Sequence, residues 1–253
     1  MKSGTGTRYS MMLDYDGTNF HGWQVQNQER TVQGVIEKAL AKIYQKEITV
    51  TGCGRTDAGV HARNYVAHID LPGRPEFDLK YKLNRMLGDD IAINKVAAVS
   101  DDFHARFSAT YRQYRYSING QKMALGRQYS WYCPDLVSLD KTAIEKAIGI
   151  LEQAESFRPF CKTGSDVKSM VCDVHHAQWI YDEVEDKQAF VIRANRFLRG
   201  MVRLIVGSLV LIGRRKLTVG QLQEALQSQN SLPMSYSVPA QGLTLEHVAY
   251  PDK

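Results

Sequence analysis

The sequence predicts an α+β chain made of two successive β-α-β-β-α-β halves. Three observations carry that expectation. Segments that alternate apolar and polar residues are interleaved with segments whose apolar residues recur at helical spacing. The same order of elements runs twice along the chain. No proline- or serine-rich linker and no low-complexity tract interrupts the 253 residues, a length that suits one large domain or two smaller ones, each able to bury a core.

In the first half, residues 8–15 alternate as a strand with Tyr9, Met11, Leu13 and Tyr15 on one side. Residues 31–44 place Val32, Val35, Ile36, Ala39, Leu40 and Ile43 at helical spacing. Residues 48–51 and 65–69 read as strands on either side of a glycine-rich loop. A second helix over 78–87 and a strand over 91–99 complete the half. In the second half, 111–118 is a strand, and 139–151 is a helix with Ala143, Ile144, Ala147, Ile148 and Leu151 on one face. Strands over 171–181 and 189–194 follow, then a helix over 197–212, a short extra helix over 219–227 and a closing strand over 243–250. Each half has the order of a ferredoxin-like unit, giving an N-terminal domain over 1–105 and a C-terminal domain over 106–253. Antiparallel sheets that joined edge to edge would cover otherwise exposed edge strands. Residues 2–7, Lys-Ser-Gly-Thr-Gly-Thr, read as a disordered tail.

Composition removes several classes of function. The longest apolar run, 204–212, is far short of the ~20 residues that span a bilayer, and the first nine residues lack the apolar core of a secretory leader. Cys53, Cys133, Cys161 and Cys172 are scattered without a C-x-x-C pair, which points to reduced thiols and a cytoplasmic protein. Cys161, Cys172, His175 and His176 lack the close paired spacing of structural zinc ligands, so no metal is expected. The net charge of +5 says less than its distribution. No Asp or Glu occurs from Phe103 to Pro134, where Arg106, Arg112, Arg115, Lys122 and Arg127 lie. None occurs from Lys187 to Gln223, which also holds Arg193, Arg196, Arg199, Arg203, Arg214, Arg215 and Lys216. Two acid-free basic stretches suggest a one-sided positive surface of the kind that meets a polyanion.

Three constellations bear chemistry. In Gly54-Arg55-Thr56-Asp57-Ala58-Gly59-Val60-His61-Ala62 a single carboxylate, Asp57, sits on a glycine-flanked turn with Arg55 and His61 beside it. Asp and Gly are ordinary turn formers. A neighbouring guanidinium, however, both orients a carboxylate and favours its ionised form, as a nucleophile or base requires. In the strand Arg112-Gln113-Tyr114-Arg115-Tyr116, alternation places Arg112, Tyr114 and Tyr116 on one face, suited either to a core or to stacking on an exposed base. In Arg196-Phe197-Leu198-Arg199-Gly200-Met201-Val202-Arg203, helical spacing aligns Arg196, Arg199 and Arg203 as one basic stripe beside an apolar stripe of Phe197, Met201, Ile205 and Leu209. Arg203, at the margin, would need a carboxylate partner if buried, for which Asp57 is a candidate.

Taken together these motifs resemble the TruA family of tRNA pseudouridine synthases. Tyr15-Asp16-Gly17-Thr18-Asn19-Phe20-His21-Gly22-Trp23-Gln24 resembles the family's opening motif, followed by Thr31-Val32-Gln33, and the Gly54–Ala62 stretch resembles its most specific one. Asp102-Phe103-His104-Ala105-Arg106-Phe107-Ser108-Ala109 resembles the segment before the strand that bears the family's active-site tyrosine. Phe197, Leu198, Met201, Val202 and Arg203 resemble the helix whose arginine pairs with the catalytic carboxylate, and Pro239, Ala240, Gly242, Leu243 and Leu245 the closing motif. The chain departs at Val238, where alanine is usual before the proline, and at Gly88, where the family has proline.

The resemblance implies a fold with helices packed on one side of a joined central sheet and an RNA cleft on the other. It implies isomerisation of uridine to pseudouridine at positions 38, 39 and/or 40 in the anticodon stem–loop of tRNA, without any cofactor. Asp57 would be the catalytic residue. Tyr114 would pack against the uracil, Arg55 would occupy or brace the site the flipped base leaves, and Arg203 would pair with Asp57. Arg196, Arg199 and Arg106 would hold the RNA backbone. The partners implied are tRNA and a second copy of the chain in a homodimer, with no membrane. Two other readings are an RNA-binding module without chemistry and a glycoside-type hydrolase. The hydrolase needs two carboxylates flanking the bond, whereas Asp57 has only Asp14 and Asp16 in motif-like context.

Overall fold

In the computed structural model, the described residues are 6–162, 164, 169–182 and 187–251. Residues 2–5 of the expected tail lie outside them, and Thr7 already pairs with Leu71. The chain forms two compact units, one of residues 6–110 with 245–251 and one of residues 111–244.

In the first unit the strands are β1 (Thr7–Tyr15), β2 (Thr51–Gly52), β3 (His61–Leu71), β4 (Ile91–Ala98) and the greater part of β9 (Leu243–Ala249), and the helices are α1 (Val32–Tyr44) and α2 (Leu79–Met86). The strand order is β4-β1-β3-β9, with β2 beside β3. β1 is antiparallel to both neighbours, with Tyr9 opposite Ile69 and Ala98, and Met11 opposite Ala67 and Val96. Its alternation is realised, because Tyr9, Met11, Leu13 and Tyr15 are all buried. Side-chain caps start both helices. Thr31 Oγ1 accepts from Gly34 N at 3.3 Å, and Asp78 Oδ1 accepts from Tyr81 N at 3.0 Å. The strand expected over 48–51 shrinks to the two residues of β2, while the one expected over 65–69 extends back to His61.

The second unit holds β5 (Tyr111–Asn119), β6 (Trp131–Tyr132), α3 (Lys141–Gln153), β7 (Val174–Asp182), β8 (Lys187–Ala194), α4 (Met201–Gly213) and α5 (Val219–Ser228). Its antiparallel order is β5-β8-β7, with Tyr114 opposite Ile192 and Trp179 opposite Phe190. The short β6 runs parallel to the end of β5, an element that periodicity over two residues does not reveal. Helix α3 packs on β7, α4 and α5. Asp140 caps α3, accepting from Ala143 N at 3.1 Å, and Thr218 with Gln221 forms a capping box on α5. Helix α4 is the most apolar, with Val202, Ile205, Val206, Leu209 and Val210 all buried.

One boundary corrects the sequence reading. The helix expected from residue 197 starts at Met201, because Gly200 precedes it with φ +73°, a left-handed conformation that glycine adopts at little cost. Arg196 and Arg199 therefore lie ahead of the helix, and the expected stripe of three arginines on one helical face is not formed.

Candidate active site

The loop that carries Asp57 is clamped within the first unit by the segment after β1. Trp23 N donates to Thr56 O at 3.3 Å, and Gly59 N donates to Phe20 O at 3.2 Å. The Tyr15 hydroxyl lies 2.9 Å from Thr56 Oγ1. Gly22 has φ +86°, and a Cβ there would stand 2.3 Å from Thr56 O, so only glycine lets the two segments approach this closely. Val60 N closes the turn onto Asp57 O at 3.2 Å. Beneath the loop, the Tyr65 hydroxyl donates to Gly54 O, and the Tyr65 ring stacks on Trp23 with centroids 4.1 Å apart. His61 is buried, and its Nδ1 accepts the Gly17 N–H at 3.0 Å. The result is a half-buried carboxylate, Asp57, on a backbone held at several points, with exposed Arg55 two residues before it. Such a carboxylate is preorganised to act as nucleophile or base, since its loop does not have to be ordered when substrate arrives.

In the second unit the three residues expected on one face of β5 have different environments. Tyr116 is fully buried, and its hydroxyl donates to Pro239 O at 2.8 Å; burial pushes that hydroxyl far above the ordinary tyrosine range. Tyr116 is therefore core. Tyr114 is half-exposed and packs edge-on against Phe197, with centroids 5.0 Å apart and planes at 83°. Arg112 Nη1 donates to Asn195 O at 2.9 Å. Arg203, in the first turn of α4, is half-buried and donates from Nε to Val238 O at 2.7 Å, while Val238 N donates back to Arg203 O at 3.4 Å. The backbone of Val238 thus sets the direction of the guanidinium. Arg196 is half-exposed and Arg199 exposed, with Arg199 O accepting from Lys162 N at 3.1 Å.

Several residues that build this region carry no periodic signal. Trp23, in the opening motif, and Tyr65, at the start of an expected strand, stack under the Asp57 loop. His68 and His104 serve as acceptors for backbone N–H groups in residues 105–107. Burial lowers both histidines, His68 to about 4, so the neutral rings are available to accept. The only available sequence signal was their position inside or beside the resembling motifs. Among the described residues, no three His, Cys, Asp or Glu side chains gather as a metal-ligand set.

Residues 11–108 and 154–251 match the family described as tRNA pseudouridine synthase. The chain belongs to that family. It is 42% identical over 248 residues to a tRNA pseudouridine synthase A of Bacteroides fragilis, spanning 97% of each chain. It is 42% identical over 247 residues to one of Bacteroides thetaiotaomicron, spanning 97% of this chain and 91% of the relative. It is 40% identical over 249 residues to one of Parabacteroides distasonis, spanning 97% of each. The first segment matched to the pseudouridine synthase family contains Arg55, Asp57, His61 and Arg106, and the second contains Arg196, Arg199 and Arg203; Tyr114 falls between them.

Proposed function

We propose that the chain converts uridine to pseudouridine in the anticodon stem–loop of tRNA, at positions 38, 39 and/or 40. The observation that carries the reading is the braced Asp57 loop, held by the Tyr15–Trp23 segment and His61, in a chain whose relatives bear the name tRNA pseudouridine synthase A along nearly their whole length. Asp57 is the catalytic residue. It acts on the ribose, either attacking C1′ as nucleophile and being displaced when C5 bonds there, or removing a ribose proton that is returned as that bond forms. The N-glycosidic bond breaks, the uracil turns, and its C5 bonds to C1′. The C5 proton passes to solvent and N1 gains one, so the reaction is a net isomerisation that needs no cofactor. Extruding the target nucleotide costs a few kcal/mol, which contacts to the RNA must offset.

Tyr114, Arg55 and Arg203 are the substrate-binding groups of this reading. Half-exposed Tyr114 offers an aromatic edge and hydroxyl to the uracil, exposed Arg55 braces the space left by the flipped base, and Arg203 presents a guanidinium aimed by Val238 O. Arg196, Arg199 and Arg106 hold phosphates. The active form is a cytoplasmic homodimer, which sedimentation equilibrium tests directly. The deciding assay uses tRNA transcripts with tritium at uridine C5. Wild-type protein is expected to release tritium to water, and Asp57→Ala to release none. Release that survives Asp57→Ala removes the catalytic assignment, and the absence of release from any tRNA removes the function.

A further inference from the structure

Phe107 has the most exposed aromatic ring among the described residues, with 75% of its surface accessible. An exposed phenylalanine is unremarkable on a loose loop, but this loop is held firmly. His104 N donates to Ser108 Oγ at 2.9 Å, and Ser108 N donates to His104 O at 2.9 Å. Ala105, fully buried, donates its N–H to His68 Nδ1 at 3.1 Å, and its carbonyl accepts from the Tyr250 hydroxyl at 2.7 Å. His104 Nδ1 then accepts from Arg106 N at 3.1 Å and from Phe107 N at 3.3 Å. Two histidine rings thus serve as acceptors for the peptide units around Phe107, a role that requires them neutral, and both are lowered from the ordinary histidine range chiefly by burial.

What this scaffold presents is an exposed aromatic ring with an imidazole and a guanidinium beside it. The His104 ring lies 4.4 Å from the Phe107 ring at 38°, and the Arg106 guanidinium lies 5.4 Å over the same ring. A rigid aromatic flanked by a guanidinium is the composition with which proteins stack single-stranded bases while holding the adjacent phosphate. The stretch that begins at Phe103 has no acid for more than thirty residues, so the charge beside the ring suits a polyanion.

We propose that Phe107, with Arg106 beside it, is a stacking shelf for an unpaired nucleobase of the tRNA substrate. This rests on the pseudouridine synthase reading above, and its test separates from it. Base stacking on one aromatic contributes enough that Phe107→Ala should weaken tRNA binding about 5- to 150-fold. Phe107→Leu, which keeps an apolar group without a π face, should weaken it comparably. In turnover the loss should fall on KM, with kcat little changed. Phe107→Trp should bind like wild type and report the stack directly. Its indole emission should be quenched by tRNA and by a single-stranded oligonucleotide beyond whatever change the three native tryptophans give in the wild-type protein. Equal binding by the Ala, Leu and Trp variants, or no added quenching in Phe107→Trp, overturns the proposal. So does a Phe107→Ala protein that sediments as a smaller species, since the ring would then cover a second protein chain. Quenching together with absent tritium release leaves the shelf standing and removes only the isomerase reading.

Discussion

The imidazole of His61 lies between two groups with opposite requirements. Its Nδ1 is 3.0 Å from Gly17 N, which needs a lone pair, and 3.1 Å from Asp16 Oδ1, which needs a proton. Asp16 Oδ1 already accepts from Thr18 N and Thr18 Oγ1, at 2.9 and 2.5 Å, so the lone pair of a neutral ring goes to Gly17. His61→Phe leaves the buried Gly17 N–H unpaired, which costs about 1–3 kcal/mol and loosens the Asp57 loop. The expected result is a lower urea midpoint and a fall in kcat, with partial recovery of both in His61→Asn, whose amide oxygen stands near the place of Nδ1. His68 gives a second prediction at this scale. Burial first, and the Arg8 charge second, lower it from 6.5 to about 4. The unfolded chain therefore takes up this proton well before the folded one does. The stability tied to neutral His68 is complete above about 6.5 and is lost as pH falls from there to about 4. Urea unfolding between pH 7 and pH 4 should show this decline, and His68→Asn should flatten it.

At the scale of the element, what sequence revealed depended on how far each signal extends. The alternation of β1 and the apolar faces of α1 and α3 run over many residues, and the structure realises them. The start of α4 did not read correctly, because residues 197–200 continue the helical spacing while one backbone conformation, Gly200 at φ +73°, breaks it. Side-chain periodicity is blind to that dihedral. The same limit hid the bracing of the Asp57 loop: Trp23 N donating to Thr56 O, Gly59 N donating to Phe20 O and the close approach at Gly22 have no period to detect. Another element boundary rests on charge. Just past α4, Arg214 grips Asp135, ahead of α3, with Nε to Oδ2 at 2.6 Å and Nη2 to Oδ1 at 2.5 Å, and Nη2 lies 3.4 Å from Cys133 Sγ. The Arg214 hydrogen bonds hold the Asp135 carboxyl down to about 2, whereas burial pushes the Cys133 thiol up to about 12. Because the Asp135 value is depressed from 3.8, its contribution is present above about 3.8 and fades as pH falls toward about 2. Arg214→Ala should lower the Tm at pH 7 and lessen the further loss on acidification through that window, as followed by calorimetry.

Over the whole molecule, the proposed activity depends on charge spread through two acid-free stretches. If Arg106, Arg196 and Arg199 each neutralise a phosphate, replacing any one by alanine should weaken tRNA binding across sequences. It should also reduce the slope of log K against log salt by about 1. An unchanged slope in all three variants removes them from the RNA contact set. The chain's own connectivity imposes a different constraint. β9 lies beside β3, yet its residues from Leu245 onward, which belong to the first unit, are the last of the strands to be made. Between Thr110 and Leu245 the ribosome must synthesise roughly 130 residues, which at 5–20 residues per second takes on the order of ten seconds or more. During that interval the first unit has emerged with only the short β2 on the outer edge of β3, and the hydrogen-bonding groups that β9 will cover are open to other nascent chains. The carboxylate loop therefore lies in a unit that can be completed only after the rest of the protein has been translated.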